Sequence, residues 1–234
     1  MMQRVSIAAL VLAAGSASRF GSPKQLARID GDTLIRRACL TALAAGCAPV
    51  LVITGANSES MSREVDDLPL TMVLNSEWSK GIGSSVRAGI RTLVEKETAA
   101  AALLMLADQP FITAQHLRLL IDGFRDSQSL VIASEYFDEG RLIQGVPAIF
   151  ASSLFQELMQ LDDKAGAKCV IMRRRADALF IPMPAAAIDI DTQSDLLRVQ
   201  RSFALRQSPG DLFSEEGKLS SPQSGEMFID RSVR

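Results

Sequence analysis

A short segment near the start of the chain, residues 12–24, combines small residues with two cations. Gly15 allows a tight turn in which several backbone N–H groups point at one anion, and Arg19 and Lys24 add positive charge to the same loop. Because the segment follows an apolar run, it could hold a triphosphate at the end of a strand. The alternative is a flexible turn with two solvated charges. Its glycine spacing matches neither a Walker A motif nor a G-x-G-x-x-G fingerprint.

Two further segments place carboxylates near the ends of apolar runs. Asp108 follows the run 102–106, and Asp189 and Asp191 alternate with isoleucines. In a strand, this alternation would place the last two carboxylates on one face, where they could complete a site with Asp108. Hard oxygen ligands of this kind favour Mg²⁺ or Mn²⁺. The alternatives are that Asp108 caps a turn and that Asp191 only begins a helix.

Residues 75–87 hold the single tryptophan of the chain, two glycines and two serines at the start of a helical pattern. Serine hydroxyls and the free N–H groups of a helix start could read the edge of a base. Serine capping of the helix is the alternative. Residues 144–150 and 161–167 form two more motif-like stretches, to which chemistry alone assigns no role.

The composition excludes several classes of site. The chain has 234 residues, with 25 Lys and Arg against 27 Asp and Glu, and this balance argues against nucleic-acid binding by bulk electrostatics. Cys39, Cys47 and Cys169 form no C-x-x-C pair, which argues against a disulfide framework and fits a reducing compartment. We expect them to be small core residues. The single histidine, His116, rules out zinc sites built on several histidines, and we expect it in the first turn of a helix.

The two ends of the chain differ in composition. The apolar run 7–14 is too short to span a bilayer, so we interpret it as a buried first strand and the protein as cytoplasmic, without a membrane partner. Residues 208–234 are rich in Ser, Gly, Pro and charge, which predicts a flexible tail. The sequence therefore predicts one domain over residues 1–207 followed by this tail.

Strand-like and helix-like patterns alternate along the first half of the chain, which predicts a mostly parallel sheet wrapped by helices. Ligands bind such sheets at the carboxyl ends of the strands, so the loops after residues 12, 53, 74 and 106 are candidate binding regions. The predicted strands are 5–12, 50–53, 70–74, 102–106 and 130–133. The predicted helices lie around residues 34–43, 82–94 and 117–124.

In the second half of the chain, the regular alternation of strand and helix patterns ends. A turn signal at residues 138–140 predicts a hairpin excursion between strands 130–137 and 142–150. Helices are predicted around 153–161 and 165–172, a strand over 178–181, and a last strand ending at 190–191. Thr192 and Asp195 match a capping box that opens a final helix.

Taken together, these segments resemble the MobA-like nucleotidyltransferases, and within them most closely the molybdenum cofactor cytidylyltransferase branch. The resemblance covers roughly residues 5–200 and rests on five motifs. These are Leu12-Ala13-Ala14-Gly15 with Arg19 and Lys24; Asn75, Trp78, Gly81, Ser84-Ser85 and Gly89; Asp108-Gln109-Pro110; Gly145, Pro147 and Phe150; and Asp189-Ile190-Asp191-Thr192. Residues 162–167 depart from the branch's Gly-Asp-x-Gly-Ala pattern, with an acid for the first glycine and one extra residue.

The resemblance implies a Rossmann-like, three-layer α/β/α domain of the nucleotide-diphospho-sugar transferase type. It also implies transfer of CMP from CTP to the phosphate of molybdopterin, with Mg²⁺ (or Mn²⁺) as the cofactor and pyrophosphate as the second product. Ala13-Ala14 favours CTP, because guanylyl enzymes of the family tend to carry a glycine there. A molybdenum hydroxylase or its chaperone is the implied protein partner.

The resemblance also implies a role for each site residue. The Gly15 loop would hold the β- and γ-phosphates, Arg19 would neutralise the leaving pyrophosphate, and Lys24 would stabilise the α-phosphate. Ser85 would read the cytosine edge. The implied nucleotide-binding set is Leu12, Ala13, Ala14, Gly15, Lys24, Gly81, Ser85 and Asp108; the catalytic set is Arg19, Lys24 and Asp108; the metal set is Asp108, Asp191 and, as the weakest candidate, Asp189; and the acceptor set is Gly145 and Pro147.

Two other functions stay open at this point. Residues 22–25 resemble the Pro-Lys-Gln segment of the cytidylyltransferase that acts on methylerythritol phosphate, so the acceptor could be a different phosphate. A non-catalytic accessory protein that hands the cofactor to a molybdenum hydroxylase is the other. The combination of Arg19, Lys24, Asp108 and Asp191 favours turnover, because binding alone needs fewer charged groups.

Overall fold

The computed structural model describes residues 6–15, 20–96 and 99–207. These residues form a seven-stranded sheet and a small hairpin, with helices on both faces of the sheet. The strands are β1 (Ile7–Leu12), β2 (Arg28–Ile29), β3 (Asp32–Thr33), β4 (Val50–Thr54), β5 (Thr71–Leu74), β6 (Ala101–Leu106), β7 (Val131–Asp138), β8 (Arg141–Ala151) and β9 (Ala178–Pro182). The α-helices are α1 (Leu34–Ala44), α2 (Ser58–Arg63), α3 (Ile82–Lys96), α4 (Ala114–Asp126), α5 (Phe155–Met159), α6 (Lys168–Arg173) and α7 (Gln193–Gln207).

The central sheet has the strand order β5-β4-β1-β6-β8-β7-β9. Strands β5, β4, β1 and β6 run parallel, and β8 runs antiparallel to both β6 and β7. The continuous apolar run of β1 suits its central position, because all six of its residues are buried. The prediction of a mostly parallel sheet is therefore confirmed.

Two apolar layers cover the sheet. On one face, Ile35 of α1 and Leu120 of α4 belong to a single buried cluster. On the other face, Ile90 of α3, Leu158 of α5 and Ile171 of α6 belong to a second cluster, which we call the α3-side cluster. This is the Rossmann-like, three-layer α/β/α arrangement that the family resemblance implies.

Helix α7 fixes the segment that precedes it. Val199 of α7 and Ile190 lie in a small cluster with Ile29 and Leu34, at the start of α1. The predicted capping box at the start of α7 is present, because the Thr192 N–H donates to Asp195 Oδ2 over 2.9 Å and the Asp195 N–H donates to Thr192 Oγ1 over 3.2 Å. Residues 188–191 are thereby held beside the first helix.

The hairpin of β7 and β8 differs from the prediction of an excursion. Its inner half belongs to the central sheet, where β8 pairs with β6 from Ala101–Ala151 to Leu104–Ala148. Both faces of this inner half are apolar and buried, as the burial of Ile149 and Phe150 shows. The outer half reaches beyond the sheet and exposes Phe137 at its tip.

The predicted last strand, ending at 190–191, is wrong. A 3-10 turn over Pro184–Ala187 follows β9, and residues 188–191 have no regular structure. The segment crosses the end of β6, where the Ile190 N–H donates to the Asp108 carbonyl over 3.0 Å. A chain that crosses the sheet edge in this way cannot form a ladder, so alternation does not govern which way its side chains face.

Other expectations are met or shifted by a few residues. Helix α1 begins after Thr33, whose hydroxyl accepts from the Arg36 N–H. Helices α5 and α6 are shorter than the predicted segments 153–161 and 165–172.

Cys39 and Cys47 are buried in the core, but Cys169 is exposed, so the prediction of three core cysteines is wrong for that residue. The predicted tail, residues 208–234, lies outside the described residues. Across the described helices, we find no apolar stretch of the length that a bilayer crossing needs.

Helix α3 offers a test of this packing. Ile90 is fully buried against the sheet, whereas Val94, one turn later, is exposed. We expect Ile90→Ala to lower the free energy of unfolding by about 2–5 kcal/mol, because it removes buried methyl groups and leaves a cavity. Val94→Ala should change the free energy of unfolding by less than about 0.5 kcal/mol. Urea denaturation of both variants checks this, and equal losses would contradict the assigned face of α3.

Candidate functional site

A cavity of about 380 Å³ opens at the carboxyl ends of β1 and β6. Every residue of the nucleotide set implied by the resemblance lines it except Ala13, which is buried. The lining residues are Leu12, Ala14, Gly15, Lys24, Gln25, Trp78, Ser79, Gly81, Ile82, Ser85, Leu106 and Asp108. The structure thus brings together residues from three separate motifs.

Lys24 is the charged centre of the cavity wall. Its Nζ lies 2.6 Å from Asp108 Oδ2 and 2.8 Å from Asp191 Oδ1, and only 13% of its side chain is exposed. Burial alone would lower the pKa of Lys24, but the two carboxylates outweigh this effect and raise the pKa above its ordinary value. Lys24 is therefore a cation shared between two acids that lie far apart in sequence.

The backbone around Lys24 ties this cation to the Gly15 loop. Lys24 opens a 3-10 turn over Lys24–Leu26, and the Gln25 amide donates to the Gly15 carbonyl over 3.0 Å. Gln25 is 3% exposed, so this hydrogen bond is shielded from water. Sequence reasoning gave Gln25 no role. The glutamine that directly follows Pro-Lys was the available signal.

Asp108 is held by its neighbours on both sides. Its carbonyl accepts from the Ile190 N–H, and the side-chain Nε2 of Gln109 donates to the Ala186 carbonyl over 2.9 Å. These two contacts bring the 186–191 segment to the end of β6 and set Asp191 opposite Asp108. Asp108 Oδ1 is buried and has no hydrogen-bond partner among the described residues.

The three-carboxylate metal set, Asp108, Asp191 and Asp189, stays a prediction. Within residues 6–15, 20–96 and 99–207, no group of three or more Asp, Glu, His or Cys side chains is arranged to hold a metal ion. Desolvation, followed by the charges of Asp108 and Asp191, raises the pKa of Asp189. Asp189 therefore lies within electrostatic reach of both carboxylates.

Asp108 and Asp191 together fit a divalent cation. Mg²⁺ is commonly held by one or two carboxylates, with substrate phosphates completing the shell. Asp108 and Asp191 supply two hard oxygen donors, and Asp108 Oδ1 is the buried polar atom that still needs a partner. The donor set is therefore one that a magnesium–triphosphate complex can complete.

Asn75 organises the part of the cavity wall that Ser85 forms. Its amide nitrogen lies 2.8 Å from Ser84 Oγ and 3.1 Å from Ser85 Oγ, and its amide oxygen accepts from the Glu77 N–H. The Ser84 hydroxyl donates to the Gly81 carbonyl over 2.7 Å. The Ser85 hydroxyl accepts from Asn75 and has no acceptor for its own proton in the described part of the chain, so that proton can be donated into the cavity.

Residues 161–167 support the start of α3. The Gly83 N–H donates to the Asp163 carbonyl over 2.9 Å, and Arg87 contacts the Leu161 carbonyl and the Asp163 carboxylate. A Cβ on Gly83 would stand 2.0 Å from the Asp162 carbonyl oxygen, and one on Gly81 would stand 2.5 Å from that of Asp163. Only glycines allow this approach, which explains the two glycines of the motif.

Several predicted residues lie away from the cavity. Gly145 and Pro147 are buried within β8, and the Pro147 carbonyl accepts from the Ser134 hydroxyl over 2.7 Å. His116 lies in the first turn of α4, as expected, and its Nδ1 accepts from the Thr113 N–H. Arg19 lies outside the described residues.

Trp78 is a packing residue at this site. A Cβ on Gly55 would stand 2.6 Å from Trp78 Cγ and 2.7 Å from the Ala14 carbonyl oxygen. The indole therefore rests on the backbone that follows β4, next to the Gly15 loop. Sequence reasoning listed Trp78 in a motif without a role, and no local pattern could have paired it with Gly55.

Comparison with family models agrees with this geometry. The model described as the MobA-like NTP transferase domain matches residues 9–178. The chain belongs to the MobA-like NTP transferase family. The match spans both ends of the cavity, from the Gly15 loop to the support under α3.

Two curated relatives match over most of their length. Nicotine blue oxidoreductase of Paenarthrobacter nicotinovorans is 28% identical over 199 residues, which cover 82% of this chain and 96% of that protein. Purine catabolism protein PucB of Bacillus subtilis is 27% identical over 207 residues, covering 82% and 95%.

Two solved structures share the fold. The Mycobacterium sp. strain JC1 homologue of Rv0371c is 28% identical, with a TM-score of 0.73 over 86% of this chain and 98% of that chain. Rv0371c of Mycobacterium tuberculosis H37Rv, in a complex with manganese, is 23% identical, with a TM-score of 0.68 over 85% and 100%. The expected fold of nucleotide-diphospho-sugar transferases is confirmed.

The close approach at Gly83 gives a second prediction. We expect Gly83→Ala to lower the free energy of unfolding by roughly 1–3 kcal/mol, because the new Cβ must push the Asp162 backbone away. Gly166→Ala is the matched control in the same contact, since its Cβ would lie 3.7 Å from Ile82 Cγ2, an ordinary distance. Its stability should not fall. Chemical denaturation of both variants measures the difference, and a Gly83→Ala protein as stable as the parent would contradict this packing.

Proposed function

We propose that this protein transfers CMP from CTP to the phosphate of molybdopterin, forming the cytosine dinucleotide cofactor and pyrophosphate. The observation that carries the proposal is Lys24, held between Asp108 and Asp191 at one end of a cavity whose other end presents the Ser85 hydroxyl. Nucleotidyl transfer needs positioning and charge neutralisation more than a protein nucleophile. A cation held between two acids suits that requirement.

The phosphate end of the cavity would hold the triphosphate. Backbone N–H groups of the Gly15 loop would receive the β- and γ-phosphates, and Lys24 would stabilise the charge that develops on the α-phosphate. Arg19, on the same loop, would neutralise the leaving pyrophosphate. The Gln25–Gly15 hydrogen bond supports this arrangement because it fixes Lys24 relative to the loop.

Asp108 and Asp191 would hold Mg²⁺ or Mn²⁺. When bound, the ion would neutralise phosphate charge and help to orient the triphosphate. The manganese complex of the mycobacterial structure supports a divalent ion in this fold. Lys24 lies between the same two acids and offsets their charge.

The base end would select cytosine. Ser85 can donate its hydroxyl proton to a ring acceptor such as O2 or N3 of cytosine, and Asn75 fixes the orientation of that hydroxyl. Ala13-Ala14, just before Gly15, favours CTP through the resemblance described above. Gly81 and the backbone around it would complete the contact with the base.

The product would be delivered to a molybdenum hydroxylase or its chaperone. Gly145 and Pro147 would shape the acceptor side from within β8, since both are buried there. A different phosphate acceptor, such as methylerythritol phosphate, is the alternative within the same chemistry.

A redox activity is the competing candidate from another class. It is favoured by the name of one relative, nicotine blue oxidoreductase, which this chain matches over 96% of that protein's length. A change in the oxidation state of nicotine blue that requires the protein, without release of pyrophosphate from CTP, would support it.

The acid at the end of β6 provides the main test. We expect Asp108→Asn to reduce pyrophosphate release from CTP, molybdopterin and Mg²⁺ by about 100-fold or more, because it removes a charge that positions Lys24 and the metal. Asp126→Asn, an exposed acid at the end of α4, is the control and should retain full activity. Both variants should keep the far-ultraviolet circular dichroism of the parent protein.

Two outcomes would count against the proposal. Release of pyrophosphate by Asp108→Asn at the parental rate would show that Asp108 has no role in the reaction. A parent protein that releases no pyrophosphate with any phosphate acceptor would exclude the transferase activity.

Ser85 tests the choice of base. We expect Ser85→Ala to weaken CTP binding about tenfold, because one hydrogen bond to the base is lost, while binding of inorganic triphosphate stays unchanged. Calorimetric titration with CTP, GTP and triphosphate measures both effects. Equal affinity of the parent protein for CTP and GTP would contradict a base-selecting role.

A further inference from the structure

A half-buried carboxylate lies on the hairpin beside the site, and the mechanism above does not use it. Gln144 Nε2 donates to Glu135 Oε2 over 2.7 Å, across directly paired positions of β7 and β8. Gln144 is only 5% exposed. Glu135 has no ion-pair partner among the described residues, although acids in partly buried positions are usually paired with a cation.

The pair lies at the same edge of the sheet as Asp108. The ladder between β6 and β8 ends at Leu104–Ala148. Beyond that last pair, β6 leads to Asp108, and β8 leads through a bulge to Gln144, which is paired with Glu135 two positions past Ala133 of β7. Both residues therefore stand where the sheet opens towards the cavity.

The pair also faces the side of the sheet on which the cavity lies. Val131 and Ala133 of β7 belong to the α3-side cluster, and alternation along β7 assigns Glu135, with its paired residue Gln144, to the same face. Leu12 and Leu106, which line the cavity, belong to that cluster as well. The pair therefore lies on the same face of the sheet as these cavity residues.

The hydrogen-bonding groups of the pair form a definite pattern. The Gln144 amide nitrogen keeps a second N–H, and it lies beside a carboxylate that can accept at both oxygens. From Gln144 to Glu135, the pair offers one amide N–H donor and then two carboxylate oxygens as acceptors. The pyrimidine edge of a pterin offers the complement, since its 4-oxo group accepts while its N3–H and 2-amino groups donate.

Resting on the proposed transfer to molybdopterin, we infer that Glu135 and Gln144 bind the 2-amino-4-oxo edge of the acceptor's pterin ring. Strands lie about 4.8 Å apart, so β7 stands roughly 10 Å from the line of β6. This spacing leaves room for the reactive phosphate near Lys24 while the ring reaches the pair. A polyol phosphate has no such edge, so the pair selects for the pterin class of acceptor.

Direct binding tests this assignment without turnover. The probes are 6-hydroxymethylpterin and the matching lumazine, in which an oxo group replaces the 2-amino group. Fluorescence titration of the full chain should show about tenfold tighter binding of the pterin, because lumazine places an acceptor against the carboxylate. Equal affinity for the two ligands, or no pterin binding, would overturn the inference.

Matched variants locate the effect. Glu135→Gln keeps the size of the side chain but presents an amide, so we expect it to remove the preference for pterin over lumazine. Glu139→Gln, at the exposed hairpin tip, should keep the preference. Gln144→Met should weaken pterin binding while leaving the carboxylate in place. Glu135→Gln with the parental preference would refute the role of the pair.

The transferase assay separates this inference from the proposed function. If the parent protein makes the dinucleotide and Glu135→Gln raises the KM for molybdopterin about tenfold without changing CTP binding, both stand. If the parent transfers CMP and Glu135→Gln keeps the parental KM, only the inference fails. If pterin is preferred but no pyrophosphate is released, the proposed function fails while the binding edge stands.

Discussion

The site depends on one electrostatic contact, in which Lys24 lies between Asp108 and Asp191. Two carboxylates this close would repel each other strongly at a poorly hydrated sheet edge, and the shared ammonium group compensates them. The contact joins three segments that are far apart in the sequence: the loop after β1, the end of β6 and the irregular segment before α7. The architecture around it can be understood as the means of holding these three pieces together. Buried β1 and β6 fix two of them, and α7 with its cap fixes the third.

Much of the fold could be predicted because its strands are covered on both faces. The continuous apolar runs of β1, β4 and β6 are typical of that environment, and the helix starts carry clear signals such as Thr33 and Thr192. The prediction failed for residues 188–191, where alternating Asp and Ile suggested a strand. One hydrogen bond, from the Ile190 N–H to the Asp108 carbonyl, decides that geometry, and it joins residues 82 positions apart. The pairing of β8 with β6 is equally non-local, so a hairpin signal could not reveal it.

Some parts of the candidate site could likewise be predicted from the sequence, and others could not. The loops that line the cavity could be predicted, because the carboxyl ends of parallel strands converge at one edge of a sheet. The sharing of Lys24 by two acids could not, since it requires the path of residues 184–191. The support under α3 and the Glu135–Gln144 pair also escaped prediction. Each depends on contacts across the sheet or between distant loops, such as the register of β7 and β8, which shifts between Ala133 and Ser134.

The carbonyls of Asp162 and Asp163, which abut Gly83 and Gly81, have a consequence for how this protein can change in evolution. They fix the start of the 161–167 loop, so substitutions at residues 162 and 163 must preserve the backbone approach to Gly81 and Gly83. The extra residue relative to the family pattern must then lie after these two residues. A turn closes there, with the Ala165 N–H donating to the Asp162 carbonyl over 3.0 Å. Lys164, exposed at the crest of that turn, marks where insertions can lengthen the loop without disturbing the nucleotide cavity.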